Sequence, residues 1–252
     1  MQQQTHTLTT IVTGSSSGIG REIARAFLNG GHRVVLHGRS SQKLESVHQE
    51  LSSIAPDAGD RLATVLGDIA DPNTGRLLAR AAVERFGSVD VLVNNAGTFA
   101  AKPFLDVTEQ DLDGYLQGNL KGTYLTTQAV VREMRSAGGG SIVNIGTVLI
   151  DHAVGGLPAS APLVSKGGVH ALTKSLAAEL AVDGIRVNLV APGVVRTPLH
   201  EAVEVDAFGE VALLNRVGEA HEIAEAVLYL ATAQFTTGHL LNVDGGFVTG
   251  RA

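Results

Sequence analysis

Short apolar runs and longer amphipathic stretches alternate along the chain. The apolar runs are rich in Val, Ile and Leu and lack polar alternation, which is typical of strands covered on both faces. They predict seven strands, at residues 8–12, 33–37, 62–66, 89–93, 141–145, 185–190 and 239–243. The amphipathic stretches between them predict helices at residues 19–29, 41–54, 73–86, 108–135, 162–182 and 221–231.

This regular order of strand and helix predicts β-α-β units with right-handed crossovers. The expected architecture is an α/β fold, a doubly wound seven-stranded parallel sheet with helices on both faces. Glycine-rich points at residues 30–31, 138–140 and 245–246 fall at element ends, and no internal repeat or low-complexity tract is present. We therefore expect a single domain over residues 1–252.

Composition narrows the class of protein. The chain has 252 residues, of which 44% are hydrophobic and 17% charged, and its net charge is −6. These values are ordinary for one large globular domain. The absence of Cys excludes disulfides and cysteine-based metal sites or nucleophiles. The mild acidity argues against a nucleic-acid or anionic-membrane partner.

Other absences bear on the location of the protein and on metal binding. No run of 18 apolar residues and no signal-peptide pattern is present, so a cytoplasmic location is expected. No His/Asp/Glu cluster has metal-ligand spacing, so no metal site is expected.

A glycine-rich turn follows the first predicted strand and opens the first helix. It reads Thr13-Gly14-Ser15-Ser16-Ser17-Gly18-Ile19-Gly20. Glycines let the backbone turn tightly and approach a pyrophosphate, and the helix N-terminus offers N–H groups and a positive dipole end. Because the strand and the helix fall where a phosphate site needs them, we interpret this turn as a dinucleotide site rather than an ordinary loop.

The three residues between the first two glycines resemble the short-chain dehydrogenase/reductase family, and the resemblance extends over nearly the whole chain. Its further motifs, in chain order, are Asp68-Ile69, Asn94-Asn95-Ala96-Gly97, Asn119, the segment Pro192-Gly193-Val194-Val195-Arg196-Thr197-Pro198 and Asp244-Gly245-Gly246. The resemblance implies a single-domain Rossmann fold that binds a nicotinamide dinucleotide.

The resemblance also implies which residues contact that cofactor. They are Gly14, Ser16, Ser17, Gly18, Ile19, Gly20, Asp68, Ile69, Asn95, Ala96, Gly97, Lys166, Pro192, Gly193, Val195 and Thr197.

Charge at the end of the second strand bears on the type of cofactor. Sites that prefer NAD place an acidic side chain there to bond the ribose 2′-hydroxyl. Here Gly38 stands at that position and Arg39 follows. A 2′-phosphate would meet no carboxylate and would gain a guanidinium, so we expect NADP(H) to be preferred over NAD(H). The alternative is that Arg39 is a solvated loop charge.

The catalytic segment departs from the family pattern. In the family it resembles, a Tyr-x-x-x-Lys pair and a Ser at the end of the fifth strand act on the substrate oxygen, with an Asn on the fourth helix. Lys166, Asn119 and Thr147 match the Lys, Asn and Ser positions, but Pro162 stands where the Tyr would be.

Proline is compatible with the fold at this position. It suits the first turn of a helix, and Ser160 is placed to cap that helix. Proline has no ionisable group, however, and general acid–base catalysis is worth about 10²–10⁴ in rate. A carbonyl reductase built this way therefore needs another proton donor.

Several groups are candidates for that donor. They are Lys166 itself, a water held by Lys166 and Asn119, and the inserted pair Asp151-His152, since His is suited to proton transfer at neutral pH. Tyr115 and Tyr124 flank Asn119 on the predicted helix, and core packing is their expected use. The segment from Thr147 to Pro162 is about two residues longer than the common family spacing.

Three functions remain open. The first is an NADP(H)-dependent oxidoreductase on a carbonyl/alcohol pair with impaired or altered proton transfer. The second is a non-redox enzyme (lyase, isomerase or cyclase) on the same scaffold, and the third is a catalytically silent cofactor-binding member. The resemblance implies a homotetramer or homodimer and a substrate lid at about residues 194–217.

The remaining charged residues are interpreted as structural. Arg132 and Arg135 suit a helix C-terminus, and His170 is expected on a packed face. The titratable groups of the lid, which a polar substrate could contact, are expected on a solvated face; they are His200, Glu201, Glu204 and Asp206.

Overall fold

The protein has a seven-stranded parallel sheet at its centre, and the computed structural model describes residues 7–198 and 204–250. The strands are β1 (Thr9–Val12), β2 (Arg33–Gly38), β3 (Leu62–Leu66), β4 (Val91–Asn94), β5 (Gly140–Ile145), β6 (Ile185–Pro192) and β9 (Leu240–Val243). Across the sheet they are ordered β3-β2-β1-β4-β5-β6-β9. All seven predicted strands are confirmed, with the boundary differences of one or two residues that strand ends normally show.

Helices cover both faces of this sheet. They are α1 (Gly18–Asn29), α2 (Ser41–Ser52), α3 (Thr74–Phe86), α4 (Glu109–Tyr115), α5 (Gly122–Ala137), α6 (Ser160–Glu179) and α7 (Ala220–Thr232). A short parallel pair, β7 (Val195–Arg196) and β8 (Gly218–Glu219), stands apart from the main sheet. The predicted doubly wound α/β fold is confirmed.

The sheet separates two apolar cores, which explains why its strands lack polar alternation. In β1, Val12 joins the core formed with α1 and α7, whereas its neighbour Ile11 joins the core formed with α3 and α5. Phe27 of α1 and Met134 of α5 are fully buried on opposite faces. Because successive strand residues point to opposite faces, both positions must be apolar.

The long helix predicted at residues 108–135 is interrupted. Helix α4 passes into a π-helical segment at Leu116–Lys121, and α5 begins at Gly122. The widened turn inserts a residue into the helical repeat, so side chains before and after it lie on rotated faces. Asn119 lies within this segment and is buried.

Helix α6 begins earlier than predicted, and its predicted cap is wrong. Ser160 is the first helical residue, and Ala159 precedes it without a side-chain cap. Pro162 therefore occupies the third helical position, in the first turn, as predicted. The N–H groups of the first turn have no partner within a helix, so proline costs no helical hydrogen bond there.

Residues 7–198 and 204–250 lack two features. No helix there is long and apolar enough to cross a membrane. Nor does that part of the chain bring together three or more His, Asp or Glu side chains in a group that could hold a metal ion.

Candidate functional site

The strand order creates a crevice at the carboxyl edge of the sheet. From β1 the chain winds outward through β2 and β3 on one side, and from β4 through β5 and β6 on the other. The loops after β1 and β4 consequently lie side by side, and ligands of doubly wound sheets bind at such a switch point. The predicted cofactor-contacting segments follow β1, β2, β3, β4 and β6, so the fold gathers them at this edge.

The glycine-rich turn packs closely against the loop after β4. Gly14 and Gly18 have φ angles of +65° and +53°, which favour glycine. A Cβ at Gly14 would lie 2.8 Å from the Cα of Ala96, closer than real contacts allow. The turn therefore requires glycine at Gly14 for both its conformation and its packing.

Asn95 and Thr13 fix this contact by hydrogen bonds. The Thr13 hydroxyl oxygen accepts from the N–H groups of Asn95 and Ala96, each at 3.0 Å. The Asn95 amide nitrogen donates to the carbonyl oxygens of Thr13 at 2.9 Å and Gly14 at 3.1 Å. Asn95 thus acts on the shape of the turn.

The N-terminus of α1 opens into the crevice. Ser17 precedes the helix in an extended conformation, and its side chain forms no capping hydrogen bond. Ile19 is half-buried, and a Cβ at the buried Gly20 would lie 2.4 Å from the Asn95 amide nitrogen. Uncapped first-turn amides and the positive dipole end suit an anion. The cradle therefore fits the pyrophosphate of a dinucleotide.

The segment after β6 reaches the same turn from the other side. Pro192 ends β6, and the Gly193 N–H donates to the Val243 carbonyl at 3.0 Å. The buried Val195 lies in β7. The side chain of Thr197 lies 3.5 Å from the position that a Cβ on Gly18 would occupy. Thr197 is thereby placed beside the glycine-rich turn.

The ends of β2 and β3 form the far corner of the crevice. A Cβ at Gly38 would lie 2.9 Å from the side chain of Ser16, so a larger residue does not fit there without a shift. Arg39 is exposed and lies 3.5 Å from the Asp68 carboxylate, which is also exposed. Ile69 is buried beneath them. The corner holds a cation and excludes a carboxylate at Gly38.

Lys166 and Asn119 come together beside Gly97. The Lys166 ammonium donates to the Ile145 carbonyl oxygen at 2.7 Å. A Cβ at Gly97 would lie 3.0 Å from the Asn119 amide oxygen and 3.5 Å from the Lys166 ammonium nitrogen. Burial lowers the pKa of Lys166 to about 8. The Lys166 ammonium is therefore mostly charged at neutral pH and close to titration.

The Asn119 amide forms three hydrogen bonds with protein groups. Its oxygen accepts from the Thr98 N–H at 2.8 Å, and its nitrogen donates to the Thr98 carbonyl and the Ser165 hydroxyl, both at 3.0 Å. The fully buried Ser165 donates in turn to the Pro162 carbonyl at 2.7 Å. This chain of hydrogen bonds joins the π-helical segment to the start of α6.

Thr147 lies at the end of β5, as the resemblance implies. Its hydroxyl accepts from the Leu149 N–H at 3.3 Å, and its own N–H faces the His170 imidazole at 3.5 Å. His170 is buried, as predicted, and burial lowers its pKa. Asp151 acts in the opposite direction and Lys166 in the same direction on that pKa.

The three tyrosines lie in α4, α5 and α7, so none of them is on α6, the helix that carries Pro162. Tyr124 and Tyr229 are exposed, and the Tyr115 hydroxyl donates to the Ala100 carbonyl at 3.3 Å. Core packing was therefore the wrong prediction for Tyr124, whereas Tyr115 is half-buried. The widened π turn lies between them and rotates the two side chains away from the faces that a regular helix would give.

His152 packs against the C-terminal region. The His152 ring meets the Phe247 ring edge-on at a centroid distance of 5.2 Å. The backbone N–H of His152 donates to the Val148 carbonyl at 3.1 Å. Asp151 is exposed. These contacts give His152 a packing role, which the sequence alone did not indicate.

The remaining charged residues lie mainly at the surface. Arg135 forms an ion pair with Asp183 at 2.7 Å. Arg196, at the start of the expected lid, pairs with Asp206 and Glu219. Glu204 is exposed, whereas His200 and Glu201 lie outside the described residues.

Sequence reasoning missed two buried side chains of the site. One is Ser165, whose hydroxyl connects Asn119 to Pro162. The other is His37, which lies inside β2 and contacts the glycine-rich turn. A polar residue at the end of an otherwise apolar strand was the available signal for His37.

Comparisons with known proteins agree with this geometry. Residues 14–248 match a family model described as enoyl-(acyl carrier protein) reductase. An L-rhamnose 1-dehydrogenase (NAD(P)(+)) of Azotobacter vinelandii is 38% identical over 94% of this chain and 95% of its own length. A 3alpha-hydroxysteroid dehydrogenase of Mediterraneibacter gnavus is 35% identical over 93% of this chain and 94% of its own.

A solved structure shares the fold along the whole sheet. It is a short-chain type dehydrogenase/reductase from Mycobacterium marinum, with a TM-score of 0.89, 31% identity and 95% of each chain covered. The glycine cradle, the paired loops at the crevice and these similarities over nearly the full length lead to one assignment. The chain belongs to the short-chain dehydrogenase/reductase family, whose members are NAD(P)H-dependent oxidoreductases of carbonyl and alcohol substrates.

Proposed function

We propose that this protein is an NADP(H)-dependent oxidoreductase that interconverts a carbonyl compound and an alcohol with altered proton transfer. The observation that carries the proposal is the glycine-rich turn together with the end of β2. There Gly38 leaves no room for a larger side chain beside Ser16, and Arg39 follows it. The turn supports dinucleotide binding, and the exposed Arg39 guanidinium, which is paired with Asp68, supports the preference for a 2′-phosphate.

The preference follows from charge and space at that corner. An acidic residue at Gly38 would have to displace Ser16, whose side chain lies 2.9 Å from the Cβ position. Among residues 7–198 and 204–250, the partner of Arg39 is Asp68, in an exposed ion pair, and such pairs are weak. Its guanidinium can therefore turn to a phosphate and bond it bidentately at little cost.

The residues around the crevice divide the work of binding. The glycine-rich turn would hold the pyrophosphate through Gly14, Ser16, Ser17, Gly18, Ile19 and Gly20. The adenine end of the cofactor would contact Asp68 and Ile69. The nicotinamide end would contact Asn95, Ala96, Gly97, Pro192, Gly193, Val195 and Thr197. The bound cofactor supplies or accepts the hydride. Lys166 would bond the nicotinamide ribose.

The proton of the substrate hydroxyl needs a donor other than a phenol. The Lys166 ammonium has three protons and donates one to Ile145, which leaves two for a ribose, a water or a substrate oxygen. A pKa of about 8 means that proton loss from Lys166 is accessible near neutral pH. We propose Lys166, directly or through a water, as the source, with Thr147 and Asn119 ordering the site.

The cofactor preference is tested by Arg39→Ala. We expect the Kd for NADPH, measured by its fluorescence, to rise about 10- to 100-fold, the worth of charge-assisted hydrogen bonds, with the Kd for NADH unchanged. Arg80→Ala is the matched control, since Arg80 is an exposed arginine of α3 whose partner is Glu84. Equal affinities for the two cofactors, unaffected by Arg39→Ala, would leave Arg39 as a solvated charge.

The missing proton donor is tested by Pro162→Tyr. If the site accepts carbonyl compounds and lacks only the phenol, NADPH oxidation against a panel of ketones should accelerate by about 10²–10⁴. Val164→Tyr is the control, because Val164 is exposed on the same helix and adds the phenol outside the site. An unchanged rate with intact NADPH binding contradicts the proposal.

Pro162 also favours a second candidate function. With Asn119 and Ser165 committed to protein partners, the site could serve a non-redox lyase, isomerase or cyclase, or a catalytically silent cofactor-binding member. NADPH binding without hydride transfer to any substrate, unaltered by Pro162→Tyr, would favour this candidate.

We further propose that a single domain, with a lid at about residues 194–217, assembles as a homotetramer or homodimer in the cytoplasm. A surface groove of about 290 Å³ between α5 and α6 supports the assembly. Its walls include the exposed Tyr124 and the side chains of Val131 and Leu176, which a second copy could cover.

A further inference from the structure

His37 connects three strand ends beneath the cofactor cradle. Its side chain is almost completely buried, with 2% of the residue exposed. The Gly14 N–H, in the turn after β1, donates to His37 Nδ1 at 3.1 Å. His37 Nε2 lies 3.1 Å from the Gly67 carbonyl oxygen, after β3. The imidazole therefore bridges the turn that would hold the pyrophosphate to the end of β3.

These two partners define which nitrogen carries the proton. Because Gly14 offers an N–H, Nδ1 must be the acceptor, and because Gly67 offers a carbonyl, Nε2 must be the donor. Only the neutral imidazole with its proton on Nε2 makes both bonds. A second proton, on Nδ1, would face the Gly14 N–H, and two donors cannot bond each other.

We infer that His37 is a positioning residue that holds the pyrophosphate turn only while its imidazole is neutral, so that dinucleotide affinity falls when His37 is protonated. The inference rests on the proposed dinucleotide binding. It adds a residue that touches no cofactor and acts through Gly14.

The turn has little room to adapt to a charged His37. The Ser15 N–H donates to the His37 carbonyl at 2.9 Å, and the His37 N–H donates to the Ser15 hydroxyl at 2.9 Å. Gly14 is also pressed against Ala96. Separation of two facing donors would therefore displace the turn itself.

Burial and the groups around His37 set the pH at which its imidazole is protonated. Burial is the main influence and lowers the pKa of His37, and Arg39 lowers it further. The hydrogen bond to Gly67 and the carboxylate of Asp68 act in the opposite direction. The glycine-rich turn, residues 13–20, contains no titratable side chain. Protonation is thus displaced below the ordinary histidine range near pH 6.5.

The test compares the pH dependence of NADPH binding by wild type and His37→Asn between pH 8 and 5. An Asn oxygen can accept from the Gly14 N–H at every pH. On acidification we expect the Kd of wild type for NADPH to rise about tenfold more than the Kd of the variant. This factor corresponds to the loss of one hydrogen bond to a buried group. The cofactor phosphates titrate equally in both. His221→Asn, at an exposed histidine of α7, should behave as wild type.

NMR of the His37 ring nitrogens and of the Gly14 amide in the wild-type protein provides a second measurement, which does not depend on whether the variant folds. The inference predicts a proton on Nε2 at pH 8 and a shift of the Gly14 amide with the same midpoint as the His37 ring. Parallel pH profiles of wild type and His37→Asn, or ring titration that leaves the Gly14 amide unmoved, overturns it. Absence of dinucleotide binding at any pH would instead defeat the proposed function.

Discussion

At the scale of single residues, the site holds a lysine in a place that is unfavourable for its charge. Burial brings the pKa of Lys166 from its ordinary value of 10.5 to about 8. In the unfolded chain the amine keeps its proton up to pH 10.5. Between pH 8 and 10.5 the unfolded state therefore binds more protons, and stability rises with pH across that window. Below pH 8 the buried charge of Lys166 destabilises the folded protein, and the proposed function requires that charge.

Lys166→Met should consequently stabilise the cofactor-free protein at pH 7. We expect a gain of about 1–3 kcal/mol in the free energy of unfolding, smaller than the pKa shift alone implies because the bond to Ile145 is lost and solvent screens part of the charge. Urea unfolding at pH 7 and pH 10 measures the gain, which should shrink at the higher pH.

Lys174→Met is the control for this substitution, since Lys174 is exposed on the same helix. It should leave the unfolding free energy within about 0.5 kcal/mol of wild type at both pH values. A variant at Lys166 that is less stable than wild type at pH 7 would show that the hydrogen bond outweighs the cost of burying the charge.

At the scale of elements, hydrophobic periodicity in the sequence predicted the strands of the sheet but not the π-helical turn. The apolar runs located every strand of the sheet, because burial on both faces leaves a continuous signal. The π-helical turn around Asn119 leaves no such signal, since one inserted residue does not change the composition of a helix. The exposure of Tyr124 was mispredicted for that reason.

The start of α6 shows a second limit of prediction by element. Ser160 has the chemistry of a cap, but the chain enters the helix one residue earlier, at Ala159, which offers no capping side chain. The preceding loop decides which residue stands directly before the first helical turn. That loop is itself held by a bond from the Lys102 N–H to the Pro158 carbonyl, a contact distant in sequence.

At the scale of the whole molecule, the site depends on contacts that no local pattern contains. The glycine spacing predicted a pyrophosphate turn, but its rigidity comes from Asn95, more than 80 residues away in the chain. The proposed dinucleotide would lie across the crevice, with its adenine end at β2 and β3 and its nicotinamide end at β5 and β6. It would therefore join the two halves of the sheet.

A ligand that joins both halves and binds only the folded state should raise the stability of the whole molecule. At 100 times its Kd, NADPH should add about 2.7 kcal/mol. For a chain of this length that corresponds to an increase of roughly 5–10 °C in Tm, measured by calorimetry. NADH at the same concentration should add less, and Arg39→Ala should remove the difference between the two. A Tm that neither cofactor changes at millimolar concentration contradicts dinucleotide binding, since the crevice would then hold no such ligand.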